Sequence, residues 1–241
     1  MSKPTYKELL DAGVHFGHMK RKWNPKMSQY IFTEKRGIHI IDLNKTLTEL
    51  DKTANAMKDL AKSGKKIMFV ATKKQGSDIV RKAAESVNMP FVTHRWLGGM
   101  LTNFSTIRKS IKKMERIESM LKDKTLTSIT KKERLTLERE KNKLEKVLGG
   151  IRRLNRIPAA MYVVDIAKEH LAIKEAQKLN LRTFAMVDTN VNPNDVDFAI
   201  PANDDSTKSI EIITNYLTNA IKEGLEEKAS KKEEKEAASE G

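Results

Sequence analysis

The residues with the clearest chemical use are cations set beside aromatic rings. His18, Lys20, Arg21, Lys22, Trp23, Asn24 and Lys26 fall within nine positions, and His94, Arg95 and Trp96 repeat the mixture. Arg152, Arg153 and Arg156 form a third group, while Arg36, Lys73, Lys74, Asn103 and Arg108 sit at turns or helix starts between them. Lys and Arg neutralise phosphates, and the planes of Trp and Arg stack on exposed bases. Either Trp could equally be partly core. The arginines are harder to place inside, because a packed interior has no use for so many unpaired cations. The formal net charge of +14 points the same way, toward a polyanion and first of all toward nucleic acid. This set is the candidate RNA-binding surface.

Catalytic chemistry is poorly supplied. There is no Gly-x-x-x-x-Gly-Lys-Ser/Thr loop, no Gly-x-Gly-x-x-Gly after a strand and no Gly-x-Ser-x-Gly elbow. Thr72-Lys73-Lys74-Gln75-Gly76 lies between a strand and a helix, where open α/β folds bind phosphates, but a single Gly makes a poor cradle. Asp165 and Asp188 end strands and, with Asp195, Asp197, Asp204 and Asp205, make an acidic corner. Turn formation and helix capping explain those residues without a base or nucleophile. His15 and His18 could share a zinc ion if further ligands folded over them, with Asp188 the conceivable remote partner. Packing or contact with a polyanion is the commoner use of such a pair. Cysteine is absent, so thiolate metal sites and disulfides are excluded. The expectation is a protein that is not an enzyme, with no cofactor and no small-molecule substrate. Two rivals remain: a nucleotide-dependent α/β enzyme using Lys73 and Asp188, and a protein-docking scaffold.

The elements that must position these residues follow from periodicity. A short helix from Pro4 to Ala12 precedes a stretch from Val14 to Met27 without convincing period. Ile31–Glu34 and Ile38–Ile41 flank Lys35-Arg36-Gly37 as a hairpin. Asp42 or Asn44 caps a helix running to about Ser63. Apolar runs at 66–71, 91–93, 160–164, 182–187 and 197–201 read as strands, separated by helical patterns at 77–87, 169–179 and 206–227. That alternation predicts a parallel sheet wrapped on both faces.

Between Asn103 and Gly149 the pattern changes. Phe104, Ile107, Ile111, Met114, Ile117 and Leu121 recur at helical spacing, as do Leu137, Leu144 and Leu148, with a polar break over 123–130. Thr130 and Glu133 fit a capping box for the second helix. The expected organisation is an α/β body over 1–102 and 150–227, carrying a basic N-terminal segment and hairpin at 1–41. An antiparallel coiled-coil hairpin is inserted at 103–149. A charged tail over 228–241 is either disordered or a lone helix. No apolar run approaches the roughly 18–20 residues of a membrane span, and the first residues lack a secretory apolar core. A cytoplasmic location is expected.

Longer strings carry a resemblance. Gly13-Val14-His15-Phe16-Gly17-His18 with Trp23-Asn24-Pro25-Lys26-Met27 comes first, then Phe69-Val70-Ala71-Thr72-Lys73-Lys74-Gln75 and Arg95-Trp96-Leu97-Gly98-Gly99-Met100-Leu101-Thr102-Asn103-Phe104. Pro158-Ala159-Ala160, Val187-Asp188-Thr189-Asn190 and Pro193 complete the set. In order and spacing the chain resembles the bacterial form of the second small-subunit ribosomal protein family, over about residues 4–225. The resemblance implies a flavodoxin-like three-layer α/β/α sandwich with a helical-hairpin insertion. It further implies a place in the cytoplasmic ribosome, at the head–body junction of the small subunit. There it implies binding to ribosomal RNA and help in docking the large first small-subunit protein.

Overall fold

The computed structural model describes residues 3–122 and 130–237. In chain order its elements are α1 (Tyr6–Asp11), β1 (Phe16–Met19), β2 (Ile31–Lys35), β3 (Ile38–Ile41), α2 (Leu43–Lys62), β4 (Ile67–Val70), α3 (Ser77–Ser86), β5 (Phe91–Val92), α4 (Phe104–Lys122), α5 (Lys131–Leu148), β6 (Ala160–Val164), α6 (His170–Lys178), β7 (Arg182–Val187), β8 (Phe198–Pro201) and α7 (Thr207–Ala237). Short 3-10 turns link several of them.

Five parallel strands make the main sheet in the order β5-β4-β6-β7-β8. Counted within that sheet the order is 2-1-3-4-5, the flavodoxin-like arrangement. Every residue of β4 and β6 is buried, as continuous apolar strands covered on both faces must be. Ile67, Phe69, Tyr162 and Phe184 meet the apolar stripes of α2, α3 and α7 on one face. Met68, Val70, Met161 and Val163 alternate with them and meet α6, the foot of α4 and the loop containing Trp96 on the other. Three layers result. Asp42 caps α2 by accepting the Asn44 N–H at 3.0 Å.

The helical insertion is rooted in the second layer rather than set apart from it. Ile107, Ile111 and Met114 of α4 bury with the sheet residues, while Leu148 is the one buried side chain of α5. The two helices run antiparallel, with Lys113 paired to Glu140. Thr130 caps α5 by accepting the Glu133 N–H at 3.3 Å. Most of the expected polar break, residues 123–129, lies outside the described residues. At the root, Gly150 lets the chain pass close to β5: a Cβ there would lie 2.2 Å from the Phe91 carbonyl oxygen. Backbone cannot step aside as a side-chain tip can. Gly150→Ala is therefore expected to cost about 1–3 kcal/mol, read as a lowered urea midpoint. An unchanged midpoint would remove Gly150 from the account of the root.

Two stretches depart from the sequence reading. Phe16–Met19, expected to be irregular, is a strand paired antiparallel to β3. Four residues interrupted by a bulge leave no visible alternation, and the partner strand supplies the order. At the other end α7 does not stop near Glu227 but continues to Ala237. The Lys, Glu and Ala beyond Gly224 are good helix formers and contain no breaker, so the helix propagates into the charged tail. Residues 238–241 lie outside the described residues.

Candidate nucleic-acid interface

A parallel sheet releases all its strands at one edge. Lys73 and Lys74 follow β4, His94 and Arg95 follow β5, Asp165 follows β6, Asp188 and Thr189 follow β7, and Asp204 and Asp205 come shortly after β8. The three-stranded ribbon β1-β3-β2 is seated on that edge. The His18 N–H donates to the Thr189 hydroxyl at 2.8 Å, and the Asn24 N–H donates to the Thr189 carbonyl at 2.8 Å. Gly17 permits the approach, since a Cβ there would sit 2.6 Å from Thr189 Cγ2. His18 Nδ1 lies 3.0 Å from Asp188 Oδ2, and Nε2 lies 3.6 Å from Asp205. The Asp188 hydrogen bond raises the imidazole above its ordinary value, against the opposing effect of burial.

Beneath the ribbon lies a cation that the sequence reading had assigned to RNA. Lys73 Nζ contacts Asp165 at 3.1 Å, Asp204 at 2.7 Å and Asp205 at 2.6 Å, with only 12% of its side chain exposed. Burial works to depress the ammonium, but hydrogen bonds to Asp204 and Asp205 and the charge of Asp165 outweigh it and hold Lys73 above its usual range. Asp204 is pushed up to about 7, by burial first and then by the charges of Asp165 and Asp188. In this strand order a nucleotide would enter the crevice between β4 and β6. That crevice is filled by the chain itself: Lys73 reaches the carboxylates, and Thr72 donates its N–H to Glu169 at 2.9 Å along with its hydroxyl. Among the described residues no group of three or more His, Asp or Glu side chains could hold a metal ion. His15, His18 and Asp188 are thus not gathered into a metal centre, and the His15 ring packs on Phe16 instead.

The remaining candidates divide cleanly. Arg21, Lys22, Lys26, Arg36, Lys74 and Arg95 are exposed with no partner among the described residues, and His94 is exposed beside Arg95. Lys20 is exposed but pairs with Glu34 at 2.8 Å. Asn24 caps its own turn by accepting the Lys26 N–H, and Trp23 next to it is 36% exposed. Exposed Asn103 begins α4. Arg108 and Arg152 knit the arm to the body: Arg152 pairs with Glu115 at 3.2 Å and Glu118 at 2.8 Å, and Arg108 donates to the Arg152 carbonyl. Arg153 and Arg156 are exposed and unpartnered, but they precede β6 and so belong to the opposite edge.

Trp96 departs from its twin. Its ring is only 7% exposed, and its Nε1 donates to Glu175 at 3.1 Å. The same carboxylate accepts the N–H groups of Gly99 at 2.7 Å, Leu101 at 2.9 Å and Thr102 at 3.0 Å. Burial tends to raise its pKa, yet these donors prevail and hold Glu175 below the ordinary carboxylate value. One side chain of α6 thus shapes the whole loop that presents Arg95. Nothing local in the sequence marks Glu175 for this; it is one more polar position on an amphipathic helix.

The chain was compared with known proteins. The family model for ribosomal protein S2 matches residues 9–224. A small ribosomal subunit protein uS2 from Cytophaga hutchinsonii is 59% identical over 232 residues, covering 96% of this chain and 91% of the relative. Those from Parabacteroides distasonis and Bacteroides thetaiotaomicron are 55% and 53% identical over 240 residues, each covering 100% of this chain and 86% of the relative. With a filled nucleotide crevice, a ribbon clamped over the strand ends and this agreement along nearly its whole length, the chain belongs to the ribosomal protein S2 family.

Proposed function

We propose that the chain is a structural constituent of the small ribosomal subunit, acting in translation by gripping ribosomal RNA with the ribbon and the carboxyl edge of its sheet. The family is one of ribosomal structural proteins, not enzymes. The observation that carries the RNA reading is the sorting of cations. Lys73, Arg108 and Arg152 are committed to internal partners, whereas Arg21, Lys22, Lys26, Arg36, Lys74 and Arg95 are left free in water on the ribbon and the loops after the strands. Stability gives no reason to hold so many exposed charges of one sign together, and phosphate neutralisation does.

The resemblance extends the proposal to the head–body junction and to docking of the large first small-subunit protein. Supporting a protein neighbour, Phe16 pairs opposite Ile40 and Met19 opposite Ile38, so one ribbon face presents exposed apolar side chains.

Binding to a small-subunit RNA fragment should weaken about 1000-fold between 50 and 200 mM salt if about six phosphates are neutralised. Replacing Arg21 and Arg95 together by Gln should lower the salt slope by about two and reduce incorporation into small subunits, with the thermal melt unchanged. A flat salt response, or full incorporation of the double variant, would sink this reading.

A further inference from the structure

We propose that Trp23 is a stacking platform for a single unpaired RNA base, set among cations that hold the flanking phosphates. The inference rests on the RNA reading of the carboxyl edge and adds to it the kind of RNA recognised there.

Trp23 is 36% exposed although the chain had core to offer; Met27, four residues on, is fully buried. The ring is held from behind by His39, with centroids 5.1 Å apart and planes tilted by 41°. His39 is itself only 6% exposed, and neither of its ring nitrogens has a hydrogen-bond partner. It serves as an aromatic wedge rather than a polar contact. The backbone around the ring is pinned at short intervals. The Lys20 N–H donates to the Gly37 carbonyl at 3.0 Å, the Trp23 N–H to the Lys20 carbonyl at 3.3 Å and the Asn24 N–H to Thr189 at 2.8 Å. The Asn24 side chain then accepts the Lys26 N–H at 3.0 Å.

A ring so fixed has lost its conformational freedom before any ligand arrives, which is what an aromatic platform needs. Arg21 and Lys22 precede it and Lys26 follows it, all exposed and unpartnered. A π-face flanked by cations fits a base with its neighbouring phosphates, and a base inside an A-form duplex offers no free face to it. A protein ligand would need carboxylates and an apolar group at the same spacing, and nothing around Trp23 selects for that.

The test uses the full-length chain and its own fluorescence, because Trp96 is the second of two tryptophans and is buried away on Glu175. The probes are a 12-nucleotide single-stranded oligouridylate and a blunt 12-base-pair RNA duplex, with an oligoglutamate peptide as the protein-like control. The single strand should quench emission saturably and the duplex should not. Trp23→Ala should abolish the quench and weaken single-strand binding roughly 5- to 100-fold without changing the salt slope, while Trp23→Phe keeps most of the affinity. Arg21→Gln with Lys22→Gln should instead lower the slope by about two. Circular dichroism checks that each variant is folded. Equal affinity for Trp23→Ala and wild type, equal quenching by the duplex, or quenching by the peptide alone would overturn the platform while salt-dependent RNA binding stood. No binding of either RNA would overturn the RNA reading together with the platform.

Discussion

Lys73→Met should destabilise the fold by about 3–5 kcal/mol, seen as a large fall in the urea midpoint. The volume is nearly conserved, so the loss comes from charge. Asp165 and Asp204 are 9% and 2% exposed and share the Lys73 ammonium. Without it two carboxylates face each other in a place water scarcely reaches. The deficit should depend on pH in a definite direction. Asp204 already titrates near 7 in the folded chain, against 3.8 in its unfolded reference, so between those values the folded state holds the extra proton. Wild-type stability must therefore fall as pH rises across that window, and the raised His18 extends the fall above 6.5. At the acid end Asp205 has a lowered pKa and Glu227 sits at about 2, so their contributions are lost as pH drops below 4. The wild type should be most stable near pH 5 by this reckoning. Removing Lys73 raises Asp204 further, so the variant should lie closer to wild type at pH 5 than at pH 8. A deficit that is equal at both values would mean the ammonium is not what stabilises the acidic corner.

The architecture was legible because it follows from local repeats. Apolar runs at 67–70 and 160–164 could only be doubly covered strands, and Asp42 marked its helix by residue type. What escaped was everything decided by long-range partners. Trp23 and Trp96 look alike in sequence, each beside cations, yet one is exposed on the ribbon and the other buried. The difference is a carboxylate 79 residues from Trp96. Lys73 and Lys74 are adjacent, and only the first meets Asp204, 131 residues away. A count of cations therefore finds an RNA-binding protein but overstates its surface, because it cannot tell a cation that builds the site from one that faces outward. The acidic corner was visible as a cluster; its use as the seat for Lys73 and the ribbon was not.

Glu175→Ala should cost about 2–4 kcal/mol and loosen the loop that carries Arg95. Four N–H groups lose their acceptor at once: Trp96 Nε1 and the backbone of Gly99, Leu101 and Thr102. Bonds to a charged group are the stronger kind, but four sharing one carboxylate do not add, so the total stays well below four times a single bond. Gln retains one acceptor oxygen and should recover about half of the loss. Trp96 reports the change directly: once freed from Glu175 its emission should shift to longer wavelength. The acid limb gives a second reading. The folded Glu175 pKa lies below the reference of 4.5, so the stability it contributes is present above that value and drains away as pH falls through the folded pKa. Wild type and Glu175→Gln should therefore converge in strong acid. The functional consequence separates shaping from contact. Arg95→Gln should weaken RNA binding with the urea midpoint unchanged, whereas Glu175→Ala should lower both, since Arg95 then has no fixed loop to present it. A Glu175→Ala midpoint within about 0.5 kcal/mol of wild type, with Trp96 emission unmoved, would show that the loop holds its shape without the carboxylate.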